Sequence, residues 1–203
     1  MSNSGQDPMH WGQPAPDFLR GLAEIQSDQA RTRKLPPVDK WNPPFCGDLD
    51  MRIATDGTWF YLGTPIGRPA LVRLFSTILR REGDGKYVLV TPVEKVGLVV
   101  EDAPFIAVRV DAVGSGREQV LNFMTNVGDQ VTAGAEHPLR VALRGTEREP
   151  RPYLHVRGGL EARIARPVFY ELVNMAEERA TVSGRELGVW SGGTFFSLGS
   201  PDP

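Results

Sequence analysis

The longest apolar runs of the chain, such as YVLV at 87–90 and VGLVV at 96–100, are only strand-length, and short connections rich in Gly, Asp and Pro separate them. Parallel neighbours need a crossover of a dozen or more residues, so such connections predict antiparallel sheets. The stretch MRIATDGTWFYLG reads as two β-rich runs around Asp56 and Gly57, a dipeptide suited to the positive φ of a tight hairpin. KYVLVTPVEK, VGLVVED, PFIAVRVDAVG, EQVLNFMTN and LRVALRG follow as strands, the last alternating Leu139, Val141 and Leu143 inward against arginines outward.

Three segments have helical spacing instead. Phe18, Leu22 and Ile25 recur helically between Asp17 and Lys34. A second helix is predicted from Pro69 to about Arg81, with Leu71, Val72, Phe75, Ile78 and Leu79 on one face, and a third lies in ARIARPVFYELVNMAEE. Between the first helix and the strands, KWNPPFCG reads as an ordered linker anchored by Trp41 and Phe45. The expected class is therefore α+β.

Composition narrows the function. Of 203 residues 40% are hydrophobic and 24% charged, which describes a globular chain, and a net charge of −2 with interspersed signs offers no broad footprint for duplex nucleic acid or an anionic membrane. No apolar run is long enough for a membrane span, and the first thirty residues lack a secretion signal, which predicts a cytoplasmic protein. The single cysteine, Cys46, excludes an internal disulfide and reads as a small buried hydrophobe. His10, His137 and His155 are too far apart for a metal motif, and Asp48 with Asp50 reads as a solvated strand entry, so neither metal nor cofactor is expected. P-loop and G-x-S-x-G signatures are absent, and GSGREQ breaks a dinucleotide fingerprint at its last glycine, so no catalytic residue is assigned.

One local conflict points to a ligand. In GTPIGRPALVRLF, Pro69 suits the first helical position, which places the cation Arg68 at the electropositive helix cap with no acid in the first turn. A bound anion would resolve that clash. The entry recurs 98 residues later, where Ile164, Arg166, Pro167 and Leu172 match Ile66, Arg68, Pro69 and Leu74, suggesting a duplicated unit. A second echo, GTWFYLG at 57–63 against GTFFSLG at 193–199, reads as hairpin chemistry.

The run from CGDLDMRIATDG to VVEDAPF, with NFMTNVGDQV, EHPLRV and VRGGLEARIARPVFYELV after it, resembles the bacterial family catalogued as domain of unknown function 1285. The most specific elements are Thr91-Pro92-Val93-Glu94-Lys95 and Glu101-Asp102-Ala103-Pro104-Phe105, and the likeness covers nearly everything after Leu35. It implies two related α+β units, the second similar to pleckstrin-homology barrels, with a pocket between them, a nucleotide-like ligand and a role in signal transduction.

Read from the residues, Pro92 belongs to an edge or bulged strand that turns Thr91, Glu94 and Lys95 to a cleft. Arg68 and Lys95 would hold the anion, Glu94 would accept from a sugar or base, and Trp59 or Tyr61 would stack on a ring. Alternatively Arg68 pairs with Glu94, Glu101 or Asp102 and clamps helix to sheet. Asn126 reads as a turn residue or a ligand contact, and Arg166 as a second Arg68. The expected organisation is a mobile leader at 1–16, a helix and linker at 17–45, and α+β units at 46–114 and 115–203. The expected function is a non-catalytic sensor or regulatory module for a small anionic ligand, a nucleotide type among the candidates. The alternatives are a protein-interaction module, with a patch at Trp190, Phe195 and Phe196, and an unrecognised hydrolase.

Overall fold

The computed structural model of the protein describes residues 16–32, 34–146, 149–181 and 184–200. Most of the leader assigned to 1–16, and His10 with it, lies outside the described residues. The chain clusters into two compact units, one ending at Val99 and the other running from Val100, with the hairpin tip Ile53–Thr58 belonging to the second.

The first unit holds α1 (Pro16–Thr32), β1 (Phe45–Ile53), β2 (Trp59–Tyr61), β3 (Thr64–Pro65), α2 (Pro69–Thr77), β4 (Leu79–Arg81), β5 (Tyr87–Val90) and β6 (Lys95–Val100). Its sheet has the order β3-β2-β1-β6-β5-β4. α1 buries Leu22 and Ile25, and Gly21 approaches the Thr91 side chain so closely that a Cβ there would sit 3.0 Å from it. The linker is held by Arg80, whose guanidinium donates to Val38 O at 2.7 Å and Trp41 O at 2.6 Å, while Phe45, expected as an anchor, is exposed at the start of β1. Cys46 is likewise exposed, not buried.

The helix expected to reach Arg81 stops at Thr77. Ser76 and Thr77 hydroxyls donate to the carbonyls of Arg73 and Leu74, each at 2.7 Å, which competes with helix continuation. Leu79–Arg81 then pairs with Tyr87–Val90 as a hairpin. Pro92 lies in the turn between β5 and β6, not within a strand, so its missing N–H costs no ladder bond.

The second unit holds β7 (Phe105–Val113), β8 (Val120–Thr125), β9 (Gln130–Thr132), β10 (Leu139–Arg144), β11 (Glu149–Arg157), β12 (Leu160–Ile164), α3 (Arg166–Asn174), β13 (Glu177–Thr181), β14 (Gly184–Ser191) and β15 (Thr194–Gly199). Its main sheet runs β10-β11-β12-β7-β8-β9, and β13-β14-β15 form a second sheet in contact with β8 and β10, so the unit curls. Ser191 ties the two sheets, accepting from Leu121 N at 2.9 Å and donating to Ala133 O at 2.7 Å.

The two six-stranded sheets have one topology, 3-2-1-6-5-4 in each unit's own order. Phe45 and Phe105, and Leu79 and Leu139, open corresponding strands 60 residues apart. The protein is thus an α+β duplication, but its register is not the 98-residue echo. That echo marks two helix entries, one between the third and fourth strands of its unit and one after the sixth. The 57–63 and 193–199 echo is hairpin chemistry, since Gly57 (φ +83°) and Gly193 (φ +75°) each turn the chain into a strand. The antiparallel expectation also needs correction: β12 pairs parallel to β7. The short-connection argument missed it because these are the first and last strands of six, and the intervening strands make the crossover.

Candidate functional site

The odd residues of β11 turn their backbone groups to β10, because His155 donates to Pro138 O at 3.0 Å and the register pairs Tyr153 with Arg140. The even residues Pro150 and Pro152 therefore face the β12 side, where they have no N–H to give. Pairing with β12 begins only at Tyr153 opposite Arg163, and past Ile164 the chain leaves the sheet for α3. A cleft of about 250 Å³ remains, lined by Glu149, Pro150, Arg151, Pro152, Arg163, Ile164, Arg166, Phe169 and Tyr170.

Its charge is organised around Asp102, whose side chain is 1% exposed. Tyr153 Oη donates to Asp102 Oδ1 at 2.7 Å, and Arg144, Arg151 and Arg163 approach the same carboxylate at 3.3, 3.7 and 3.7 Å. The 3.7 Å pairs are too long for hydrogen bonds, and Asp102 Oδ2 and Arg163 Nε are both buried without a hydrogen-bond partner. Burial, then the hydrogen bond to Asp102, push the Tyr153 phenol above its ordinary value of 10.0. Arg166 pairs with Glu149 at 2.8 Å, with 71% and 53% of the two side chains exposed. Arg140 is spoken for by Glu161, at 2.6 Å through Nε and 2.5 Å through Nη2. Ordinary ion pairing thus accounts for Arg140 and Arg166, whereas three guanidiniums share Asp102. The titratable side chains lining the cleft are Glu149, Tyr170 and the three arginines.

The sequence-based candidates are dispersed. Arg68 caps α2 with φ −107° and ψ 102°, as expected, and its side chain is exposed and without an ion-pair partner among the described residues. Arg166 is the first residue of α3 rather than its cap, one position further in than Arg68. Thr91 is fully buried and occupied by its turn, with Oγ1 donating to Glu94 O at 3.0 Å and accepting from Glu94 N at 3.2 Å. Glu94 is buried with Oε1 unpartnered. Beside it, desolvation and then Glu94 push the Cys46 thiol up, away from the nucleophilic thiolate. Trp59 is 1% exposed and stacks on Phe75 with centroids 6.1 Å apart, which leaves no face for a ligand ring, while Tyr61 is half-buried in β2. Asn126 locks a turn, accepting from Ile106 N at 3.0 Å through Oδ1 and donating its own N–H to Ile106 O at 2.8 Å. Gly57 must lack a Cβ there, because one would sit 2.7 Å from Asn126 Nδ2.

Lys95 pairs with Glu82 at 3.4 Å, and Glu82 also takes Arg80 at 2.5 Å. The Arg80 hydrogen bond first, with Lys95 adding, holds the Glu82 carboxyl below its ordinary 4.5 against the opposing effect of burial. A lowered folded value stabilises the protein above the unfolded value and is lost as pH falls through the folded one. Glu82→Gln is therefore expected to flatten the acid limb of stability, measured by urea unfolding between neutral pH and pH about 3. An unchanged limb would contradict the pairing.

Asp102, Arg151, Arg163 and Tyr153 were not assigned to a ligand site from sequence. The available signal was period-2 patterning: Arg151 and Tyr153 on β11, Arg140 and Arg144 on β10 and Arg163 on β12 share one sheet face.

Two family models match the chain, described as "Domain of unknown function (DUF1285), N-terminal domain" over residues 36–103 and "Protein of unknown function (DUF1285), C-terminal domain" over residues 104–198. Among solved structures, a DUF1285 family protein from Silicibacter pomeroyi DSS-3 is 52% identical, with a TM-score of 0.79 over 88% of this chain and 96% of that one. A DUF1285 family protein from Shewanella baltica OS155 is 31% identical over 62% of this chain and 91% of its own, with a TM-score of 0.49. The comparison with curated proteins gave no match. With both halves of the family architecture matched in order and a relative more than half identical across most of the chain, this protein belongs to the DUF1285 family.

Proposed function

We propose that the protein is a non-catalytic sensor or regulatory module, acting in cytoplasmic signal transduction, whose second unit holds a small anionic ligand. The observation that carries the reading is the cleft beside α3, where Arg151, Arg163 and Arg166 meet while Arg151 and Arg163 share one carboxylate with Arg144. Guanidiniums recognise acidic oxygens through paired N–H donors, and α3 adds the electropositive end of a helix with no acid in its first turn. Arg68, exposed at the start of α2, is a second anion contact of the same kind in the first unit.

The protein-interaction reading finds less support. Phe196 is buried, and Arg117 and Arg179 lie over the rings of Trp190 and Phe195 at 5.0 and 4.4 Å, so the expected apolar patch is covered by the unit's own cations. Among the described residues no helix is long and apolar enough to cross a membrane, and no group of three His, Cys, Asp or Glu side chains is placed to hold a metal.

Thermal unfolding with millimolar phosphate and carboxylates tests the proposal. An anion at ten times its Kd adds about 1.4 kcal/mol and raises Tm by roughly 3–5 °C for a chain of this length. Arg166→Ala, which removes a surface pair worth about 0–1 kcal/mol, should leave Tm without ligand nearly unchanged and reduce the anion-induced rise. Equal rises in both proteins would place the anion elsewhere.

A further inference from the structure

We infer that the ligand of the second-unit cleft is a compact acid with an apolar body, and not a whole nucleotide. The inference rests on the anion-binding proposal and narrows it by charge, size and the placement of the lining.

Charge comes first. The three lining arginines are already served by Glu149 and, jointly with Arg144, by Asp102. Four arginines, Arg144 included, against the two carboxylates Asp102 and Glu149 leave about two positive charges at the cleft, which calls for an acid. Arg163 Nε is buried without a hydrogen-bond partner, with Asp102 Oδ2 3.7 Å away, so Asp102 leaves this guanidinium incompletely served.

Size comes second. A volume of about 250 Å³ equals the liquid volume of roughly eight waters and falls below the range of about 300–1,000 Å³ common for drug-sized ligands. That volume suits a compact acid better than a base, a sugar and a phosphate together.

Placement comes third. Strand alternation turns Arg151 and Arg163 to the sheet face shared with Asp102, and Pro150, Pro152 and Ile164 to the opposite face. Phe169, half-buried, and Tyr170, 57% exposed, add ring surface from α3. The cleft therefore has a charged end and an apolar end. A purely polar anion such as inorganic phosphate fills only the first, and an apolar acid fills both.

Titration calorimetry and Tm shifts of the full chain with phenylacetate, acetate, phenylacetamide, inorganic phosphate and adenosine monophosphate separate the outcomes. Phenylacetate is expected to bind at least tenfold more tightly than acetate, phosphate or the nucleotide, and the neutral amide not to bind. Tyr170→Ala, on an exposed position that the fold tolerates, and Phe169→Ala should each weaken phenylacetate several-fold and leave acetate unchanged. Phosphate or the nucleotide binding as tightly as phenylacetate, with loss in Arg166→Ala, would overturn this inference and leave the anion proposal standing. Binding of phenylacetamide equal to that of phenylacetate, or no binding by any acid, would overturn both.

Discussion

Replacing Asp102 by alanine is expected to cost about 3 kcal/mol of stability, seen as a Tm fall of roughly 6–12 °C and a matching shift of the urea midpoint. The side chain is 1% exposed, and it is the carboxylate that Arg144, Arg151, Arg163 and the Tyr153 hydroxyl share. Truncation leaves the buried Tyr153 phenol without its acceptor and three guanidiniums repelling one another with nothing between them. Breaking a buried charged group away from its partners is costly because those partners stay desolvated. Asp102→Asn keeps the acceptor for Tyr153 and removes only the charge, so it should lose less than alanine. Added sulfate or phosphate should restore part of the loss in both variants more than in wild type, since the freed guanidiniums then have an external anion. A loss below about 0.5 kcal/mol for the alanine variant would show that the three ion pairs carry no net stabilisation.

Gly188→Ala is expected to be the most disruptive single-methyl change, costing about 2–3 kcal/mol. Gly188 sits at the irregularity where β14 shifts register against β15, and a Cβ there would collide with the Phe196 carbonyl oxygen and the Phe195 ring. The ring could rotate, but the carbonyl belongs to the partner strand and cannot leave without opening the ladder. Because Ser191, three residues on, joins this small sheet to β8 and to Ala133 just past β9, the damage should spread to the main sheet of the second unit. Amide hydrogen exchange should therefore show faster exchange at Leu121 as well as in β14. Wild-type protection at Leu121 with loss confined to β14 and β15 would contradict that coupling. By contrast Gly97→Ala, where the obstacle is the exposed end of Asp48, should be tolerated far better.

The contrast between these two glycines illustrates what a linear pattern conveys. Hairpins and caps depend on neighbours in sequence, and so Gly57 and Pro69 were legible in their local roles, whereas of the expected inward row Leu139 is buried and Leu143 is 52% exposed. The end of α2 was not, because Leu79 continues the helical apolar spacing, and it was pairing with Leu89 that decided its state. Likewise the parallel β7 and β12 pair depends on closure over six strands, a non-local fact. At the site, Arg166 was found through its echo of Arg68, yet the group that organises the cleft, Asp102, was treated only as a possible partner for Arg68. Three arginines from β10, β11 and β12 reach Asp102 only once the sheet is assembled. Thr91, Glu94 and Lys95 stood out because they flank a proline, but that proline sits in a turn, and Thr91 and Lys95 are engaged by the turn and by Glu82.

The most direct test of the guanidinium cleft is nuclear magnetic resonance of the arginine Nε–Hε groups during titration with phenylacetate. The Arg163 and Arg151 signals should move together and saturate at the same concentration, with Arg166 following and Arg68 and Arg117 staying still. If the Arg163 signal does not move while other arginines do, or if none moves at concentrations that raise Tm, the cleft beside α3 is not where this protein holds an acid.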